Sequence, residues 1–303
     1  MSAISPLAEQ PLAEPVPTGR RKAAFRRFLS HPSLVIGCGV LLLLALVAIF
    51  APWLAPNSPT RTSLLNTYAP PSARFPLGTD QFGRCVLSRL IYGSRVSLEV
   101  AMAVVAISLS CGTLIGAIAG YSSSWIQRVI VMLNDILLAF PGFLLALAIV
   151  AARGSSLESV ILAVSVAYIP RVASVMRSVV LTIKPRPFIE ASEAIGMGHT
   201  RILLRHVIPN ALPPVIVVST VSAASAILAE AGLSFLGLGV QPPTPTWGNI
   251  IADGQAAITT TPLISISAGL CIAVTVVALN LLGDGLRDTL DPKMRRQAGM
   301  KML

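Results

Sequence analysis

Six apolar stretches of about 20 residues each dominate this 303-residue sequence. An α-helix rises about 1.5 Å per residue, so such a stretch is long enough to cross the roughly 30 Å hydrocarbon core of a bilayer. Over the whole chain 54% of residues are hydrophobic and 12% are charged, a composition that excludes a soluble globular domain of this length. The sequence therefore predicts an all-α membrane protein with six transmembrane helices, at residues 34–54, 96–120, 129–152, 157–176, 214–236 and 262–282.

The basic residues outside these stretches predict an orientation. If the N-terminus is cytoplasmic, 15 Lys and Arg residues lie on the cytoplasmic side and 6 lie on the other side. Because basic residues accumulate on the cytoplasmic side of membrane proteins, both termini are expected in the cytoplasm. The same distribution accounts for the formal net charge of +10, so a nucleic-acid partner is not expected.

The predicted spans divide the chain into four parts. Residues 1–30 form a basic cytoplasmic tail with a composition typical of disorder, and residues 31–95 hold the first span and an extracytoplasmic segment. Residues 96–283 form a five-span core with a polar loop at 185–212, between the fourth and fifth spans, and residues 284–303 form a cytoplasmic C-terminal tail. Residues 241–248 predict a stiff turn with Trp247 at the membrane interface.

The polar loop contains the segment 190–210, EASEAIGMGHTRILLRHVIPN. Glu190 and Glu193 lie three residues apart and would share one helical face. Gly196 and Gly198 are expected to break this helix, after which a second helix begins and Pro209 closes the segment. The pattern predicts helix, turn and helix on an exposed docking surface; a plain connecting loop is the alternative.

This segment resembles the EAA loop of ATP-binding-cassette importer permeases. Glu190-Ala191 is followed by the small residue Ser192, a Gly stands six positions after the Glu, and a Pro stands nineteen positions after it. His206 departs from the general pattern, but His-x-x-Pro-Asn resembles the dipeptide, oligopeptide and nickel branch, of the second-permease type. The resemblance implies a coupling helix that sits in a cleft of an ATPase, with an ATPase-coupling loop made of Glu190, Ala191, Ser192, Glu193, Gly196, Arg201, Arg205 and Pro209.

A second run, after residue 76, resembles an extracytoplasmic signature of the same branch. Its motif residues are Gly78, Thr79, Asp80, Gly83, Arg84, Ser88 and Arg89. In the family an Asp usually follows the Gly-Arg pair, whereas this chain has Cys85, which removes a carboxylate that could have paired with a nearby Arg. Taken without the family, the run predicts a turn in which Gly78 and Gly83 adopt unusual φ angles and Asp80 caps the next helix.

Polar and charged residues within the predicted spans are candidates for a translocation path, because such residues are costly in hydrocarbon. Asn134 and Asp135 lie in the third span, ahead of a Pro141-Gly142 pair that is expected to kink it. Glu230 lies deep in the fifth span and could either line the path or fix helix packing as a buried hydrogen-bond acceptor. Arg171 and Arg177 lie toward the cytoplasmic end of the fourth span, where snorkelling is expected and a substrate role is the alternative.

Catalytic patterns are absent from the sequence. It contains no G-x-x-x-x-G-K-[ST] phosphate loop, no H-E-x-x-H, no G-x-S-x-G and no Cys/His cluster with metal-ligand spacing. We therefore expect no catalytic residue, no metal site and no cofactor in this chain. An ion-gradient-driven secondary transporter and a membrane enzyme remain alternative classes.

The resemblance implies a permease subunit in the bacterial inner membrane that imports di- or oligopeptides, with nickel or another small solute as the alternative cargo. It also implies four partners: a second homologous permease, two ATPase subunits that bind ATP and Mg²⁺, and an extracytoplasmic substrate-binding protein.

Overall fold

The computed structural model describes residues 31–122 and 125–290. The tail predicted at 1–30 lies outside these residues, as do residues 291–303 of the tail predicted at 284–303, whereas residues 284–290 belong to the last helix. Within the described ranges the chain is helical, and its β structure is a single bridge between Thr79 and Cys85. The helices are α1 (Pro32–Ile49), α2 (Ala51–Leu54), α3 (Val86–Tyr121), α4 (Trp125–Ala139), α5 (Gly142–Arg153), α6 (Leu157–Ile183), α7 (Pro187–Ala194), α8 (His199–Ile202), α9 (Ile208–Phe235), α10 (Trp247–Gln255) and α11 (Leu263–Leu290).

Five helices in the described ranges are long and apolar enough to cross a membrane. They are α1, α3, α6, the continuous helix His199–Phe235 and α11. The predicted third span is instead the pair α4 and α5, bent by 91° at Phe140 and Pro141. The expected kink at Pro141 is confirmed, but the bend is so large that the pair forms a broken span or a re-entrant loop. Its cause is local, because Pro141 has an extended ψ of 122° and no N–H to continue the helix.

The long helices α3 and α6 pack closely at the centre of the bundle, as the glycine spacing in α3 allows. A Cβ added at Gly116 would lie 2.3 Å from the carbonyl oxygen of Ala173, and one at Gly112 would lie 2.6 Å from the Cβ of Val172. These separations are far shorter than van der Waals contact. Glycine is therefore required where the two helix backbones approach each other.

The polar segment after the first span differs from its prediction in one respect. Helix α3 begins at Val86, ten residues before the predicted span at 96, so the polar segment ends in a helix rather than a loop. The first turns of α3 carry Ser88 and Arg89, both buried. Because these polar side chains are paired within the protein, the helix can continue beyond its apolar part.

The predicted stiff turn at 241–248 leads into a short helix, α10, that the sequence pattern did not indicate. Trp247, predicted at the membrane interface, is 1% exposed, and its indole Nε1 donates a hydrogen bond to the carbonyl oxygen of Leu90 at 3.1 Å. Thr246 and Asn249 form a reciprocal capping box at the start of α10. The sequence did not indicate this burial, which arises because the loop folds back against α3.

Pro209 does not close the polar segment, as the sequence suggested. Instead α8 passes through a π-helical turn, Leu203–Val207, into α9, and the helix runs without a break from His199 to Phe235. Pro209 has no N–H to donate to the preceding turn, and the wider π turn Leu203–Val207 lies directly before it. The second half of the polar loop and the fifth span are thus one helix.

Candidate functional site

The docking segment comprises residues 187–209, which are α7, the turn 195–198, α8, the π-helical turn Leu203–Val207 and the first two residues of α9. Pro187 is placed at the start of α7, where its missing N–H costs nothing, and Glu190 lies in the first turn, near the positive end of the helix dipole. Gly196 ends the helix with a φ of +78°, and the N–H of Met197 bonds back to the carbonyl oxygen of Ser192 at 3.1 Å. The predicted helix, turn and helix is what the structure contains.

One side of the docking segment is buried and fixes its position. Ile189 is 1% exposed, Ile202 and Val207 are fully buried, and all three pack with side chains of α6 and α9 in one apolar cluster. Ser192 is also buried and donates a hydrogen bond to the carbonyl oxygen of Phe188 at 2.7 Å. The small residue of the EAA pattern is therefore on the inner face of the segment.

The other side of the docking segment is exposed and carries most of the predicted coupling residues. Apolar side chains project from the same surface: Ile195 is 77% exposed and Leu204 is 57% exposed. An exposed apolar surface with charges around it is typical of a protein-protein contact. The predicted coupling residues on the exposed side are Glu190, Ala191, Glu193, Gly196, Arg201, Arg205 and Pro209.

The docking segment is tied to the end of α3. The hydroxyl of Tyr121 donates to Oε1 of Glu193 at 3.4 Å and lies 3.2 Å from Nδ1 of His199. Lys184 donates to the carbonyl oxygen of Tyr121 at 2.8 Å. Because α3 is 36 residues long and runs from Val86 to this contact, the docking segment and residues 78–89 lie at opposite ends of the bundle.

The motif at residues 78–89 is a turn held by specific contacts. Gly78 and Gly83 have φ angles of +75° and +69°, as predicted. A Cβ at Gly83 would lie 1.9 Å from the carbonyl oxygen of Ser63, so any other residue at position 83 would push the backbone at Ser63 away. Thr79 accepts a hydrogen bond from the N–H of Ala69, and Ser88 accepts one from the N–H of Asn57. Each of these motif residues therefore has a structural role.

Four charged residues form a buried cluster beside this turn. Oδ2 of Asp80 accepts from Nε of Arg84 at 2.7 Å and from Nη1 of Arg89 at 2.5 Å. Oδ2 of Asp253, on α10, accepts from Nη2 of Arg84 at 2.9 Å and from Nη1 of Arg89 at 2.7 Å. Asp80 is fully buried and Arg89 is 1% exposed. The two guanidinium groups and two carboxylates balance in charge, and they fasten α10 to the start of α3.

This cluster corrects one sequence prediction and adds a residue that the sequence reasoning missed. Asp80 does not cap α3, whose N-cap is Cys85; its carboxylate instead bonds the backbone N–H groups of Phe82 and Arg84 and the two arginines. Asp253 was not recognised, because it lies more than 160 residues from its partners in the sequence. Cys85 is 2% exposed, and both arginines have carboxylate partners without an acid at that position.

Glu230 does not lie together with Asn134 and Asp135. Its side chain is fully buried near the α10 end of the bundle, where Oε1 accepts from the hydroxyl of Ser234 at 2.8 Å and Oε2 from that of Ser97 at 3.4 Å. These bonds join α3 and α9. The geometry matches the second alternative for this residue, a buried acceptor that fixes helix packing.

Asn134 and Asp135 lie in α4, in the half of the bundle nearer the docking segment. Nδ2 of Asn134 donates to the hydroxyl of Ser174 on α6 at 2.9 Å. Asp135 is exposed and lines an open groove between α4 and α6, together with Arg128 and Arg177. Within residues 31–122 and 125–290, no group of three or more His, Cys, Asp or Glu side chains is arranged to hold a metal ion.

Two families of known proteins match this chain. Residues 112–296 match the family described as binding-protein-dependent transport system inner membrane component. Residues 20–71 match the N-terminal transmembrane domain of oligopeptide transport permease C. The first match covers more than half of the chain, including the docking segment and Asp253.

Curated relatives are similar over almost their whole length. The di/tripeptide transport system permease protein DppC of Pseudomonas aeruginosa is 41% identical over 300 residues, which cover 97% of this chain and 98% of that protein. The dipeptide transport system permease protein DppC of Alkalihalophilus pseudofirmus is 40% identical over 90% of both chains. The glutathione transport system permease protein GsiD of Escherichia coli is 40% identical over 89% of this chain and 90% of that protein.

Among solved structures, an inward-facing form of the methionine transporter MetNI has the same fold. The match has a TM-score of 0.57 at 18% identity and covers 67% of this chain and 96% of that one. Taken together with the family matches, these similarities show that the chain belongs to the inner-membrane permease components of binding-protein-dependent ATP-binding-cassette importers.

Proposed function

We propose that this chain forms half of the translocation path of an importer for di- and oligopeptides and receives mechanical work from ATPase subunits through the docking segment. The observation that carries the proposal is the continuity of the docking segment with the fifth span in one helix, His199–Phe235. A partner that moves the exposed surface of α7 and α8 would thereby move a membrane-crossing helix directly. The curated relatives named for dipeptides and di/tripeptides support the cargo.

The proposed assembly contains four partners besides the lipid bilayer. A second homologous permease completes the path, and two ATPase subunits bind ATP and Mg²⁺ and hydrolyse the nucleotide, so this chain is not itself an enzyme. A substrate-binding protein delivers peptide on the extracytoplasmic side, where the turn at 78–89 and α10 lie in the proposed orientation. Both termini and the docking segment are then cytoplasmic, as the distribution of basic residues predicts.

The docking surface supports this assembly by its chemistry. Ile195 and Leu204 offer exposed apolar side chains, and Glu190, Glu193, Arg201 and Arg205 surround them with charges of both signs. An apolar centre with a charged rim is the usual anatomy of a specific interface. Closure of the ATPases would tilt the docking segment, and ATP and loaded binding protein would each shift the equilibrium between inward- and outward-open states by binding one of them more tightly.

The proposal is tested by ATP hydrolysis in the complex purified through this chain and reconstituted in liposomes. We expect ATPase subunits to copurify, and hydrolysis to increase when the binding protein is loaded with a dipeptide rather than empty. Purification of the chain alone, with peptide uptake driven by an ion gradient, would show that the docking surface has been misinterpreted.

Variants of the docking surface refine this test. Glu190→Lys reverses a charge at the positive end of α7, and Gly196→Asp places a side chain at a φ of +78° on the exposed surface. We expect both to abolish stimulation by loaded binding protein while the chain still inserts into the membrane. Gly198→Ala is the matched control, because Gly198 has an ordinary φ of −63° and an added Cβ would meet nothing within 4 Å.

A further inference from the structure

We propose that the groove between α4 and α6 is a transient binding site for a zwitterionic peptide, in which Asp135 takes the terminal ammonium group and Arg177 takes the terminal carboxylate. This inference rests on the proposed function and names a place on the inward half of the path. The groove has a volume of about 740 Å³, within the range of sites that hold small ligands. Its walls are mainly apolar, and the charged residues on them are Arg128, Asp135 and Arg177.

Asp135 is a charged residue on the surface of an apolar helix. Its side chain is exposed, although it lies ten residues inside α4, in a helix with no buried residue. A carboxylate facing lipid at that depth would cost about 2.5 kcal/mol or more. Exposed ionisable residues inside spans face a water-filled path or a partner instead, which places the groove on a route through the membrane rather than against lipid.

Arg177 brings a positive charge to the same groove. It lines the same groove from α6 and also borders the narrow space behind Asn134 and Asp135. Its Nε is buried and has no hydrogen-bond partner. A guanidinium group is commonly satisfied by two parallel bonds to a carboxylate, and no ion pair among residues 31–122 and 125–290 includes Arg177, so its guanidinium is free to take a carboxylate from a ligand.

Asp135 and Arg177 line the same groove without forming an ion pair. Among residues 31–122 and 125–290 every ion pair involves Asp80 or Asp253, so Asp135 and Arg177 are more than 4.0 Å apart at their charged atoms. A dipeptide carries its opposite charges roughly 7 Å apart when extended. A fixed anion on α4 and a fixed cation on α6 that line one groove match that pattern, whereas a single charge would attract only one end.

The groove also lies where a released peptide would pass. Arg177 is six residues from the end of α6, next to the docking segment, and Arg128 stands at the first turn of α4 at the same end. In the proposed orientation this end is cytoplasmic. The site would therefore be reached from the cytoplasm when the transporter is open inward, and peptide accumulating there would occupy it.

The test uses the reconstituted complex, with the ATPase subunits facing outward and loaded binding protein inside the liposomes. Three probes are added on the ATPase side at rising concentration: dialanine, N-acetyl-dialanine, which lacks the ammonium group, and dialanine amide, which lacks the carboxylate. Inhibition of ATP hydrolysis is measured for each. We expect dialanine to inhibit at about tenfold lower concentration than either blocked peptide, because each lost charge removes a charge-assisted hydrogen bond.

The variants assign each end of the peptide to one residue. Asp135→Asn should make dialanine and N-acetyl-dialanine equally effective while the preference over dialanine amide remains. Arg177→Gln should do the reverse. Glu158→Gln and Arg153→Gln are matched controls, since both residues are exposed, lie at the other end of α6 and α5, and do not line the groove.

The possible outcomes separate this inference from the proposed function. Equal inhibition by all three probes in the native complex overturns the site, even if a variant fails to assemble. Variants that change turnover but keep the native order of the three probes also overturn it, since that pattern is expected of a structural ion pair that forms in another state. If loaded binding protein fails to stimulate hydrolysis in the native complex, the proposed importer function itself is wrong.

Discussion

At the scale of single residues, the buried charge cluster depends on each of its members. Two guanidinium groups need two carboxylates, and the second of these, Asp253, is supplied by α10. Removing one charge of a buried pair lowers the stability of the folded protein more than replacing both charges by apolar residues, because the remaining charge stays buried without a counter-ion. The cluster is thus a condition for the position of α10 rather than a source of net stability.

We predict that Asp253→Asn destabilises the protein by about 3 kcal/mol, the lower part of the range for breaking a buried ion pair. The side chain is 17% exposed, so solvent screens the lost charge only slightly. Asp284→Asn is the control, because Asp284 is exposed on α11 and takes part in no ion pair of the described residues. Thermal unfolding of the purified protein should show a lower midpoint for the first variant than for the second; equal midpoints would contradict the role assigned to the cluster.

Sequence reasoning identified several residues correctly and missed their partners. The unusual φ predicted for Gly78 and Gly83 is found in the structure, and Gly196, predicted to break a helix, does so with a positive φ. The role of Asp80 was not predictable in the same way. A capping acid and an ion-paired acid look alike in sequence, and only the fold brings Asp253 to Arg84 and Arg89.

At the scale of elements, the contact between α3 and α6 is fixed by the row of small residues in α3. Gly112, Gly116 and Gly120 face Val172, Ala173, Met176 and Val180 of α6 so closely that no Cβ fits. Between helices in a membrane the hydrophobic effect contributes little, so close van der Waals packing of this kind holds the pair together.

We expect Gly116→Ala to destabilise the protein by about 1–3 kcal/mol, the usual cost of overpacking a well-filled interior. The new Cβ would meet backbone, the carbonyl oxygen of Ala173 at 2.3 Å, and backbone cannot rotate away as a side chain can. Gly269→Ala on α11 is the control, because nothing lies within 4 Å of that position and alanine favours a helix more than glycine does. Thermal midpoints measured side by side would rank the two variants, and a Gly116→Ala protein as stable as the control would refute the packing argument.

Element boundaries were predictable only where apolar composition decides them. The six predicted spans all correspond to helices of the structure, yet α3 begins earlier than predicted and the fifth span extends back to His199. Helix α3 starts early because Ser88 and Arg89 are buried and hydrogen-bonded, whereas the fifth span extends back because Ile202 and Val207 pack in an apolar cluster while Arg201 and Arg205 stay exposed. Composition alone could not indicate those contacts, nor could it show that the kink at Pro141 is a 91° bend.

At the scale of the whole molecule, the proposed orientation gives each end of the bundle a different compartment. We predict that a cysteine at Thr60 reacts with a membrane-impermeant maleimide in intact cells and that a cysteine at Thr200 reacts only in inverted membrane vesicles. Both positions are exposed, and they lie at opposite ends of α3. The four native cysteines would first be replaced by alanine, and the native-cysteine-free protein serves as the blank. Labelling of position 200 in intact cells would reverse the orientation and with it the side from which ATPases could bind.

The helix His199–Phe235 has a mechanical consequence. With 37 residues it is about 55 Å long, so a tilt of roughly 10° at the docking segment would displace the far end by about 10 Å. A long helix amplifies small movements only if all of it is rigid. The π-helical turn Leu203–Val207, where the backbone hydrogen bonding is irregular, lies next to the exposed docking surface. In the proposed importer, a rigid turn there would transmit the full tilt of the docking segment to the far end of the helix, whereas a flexible turn would reduce it. The five residues of this turn would thus determine how much movement ATP hydrolysis produces at the opposite face of the membrane.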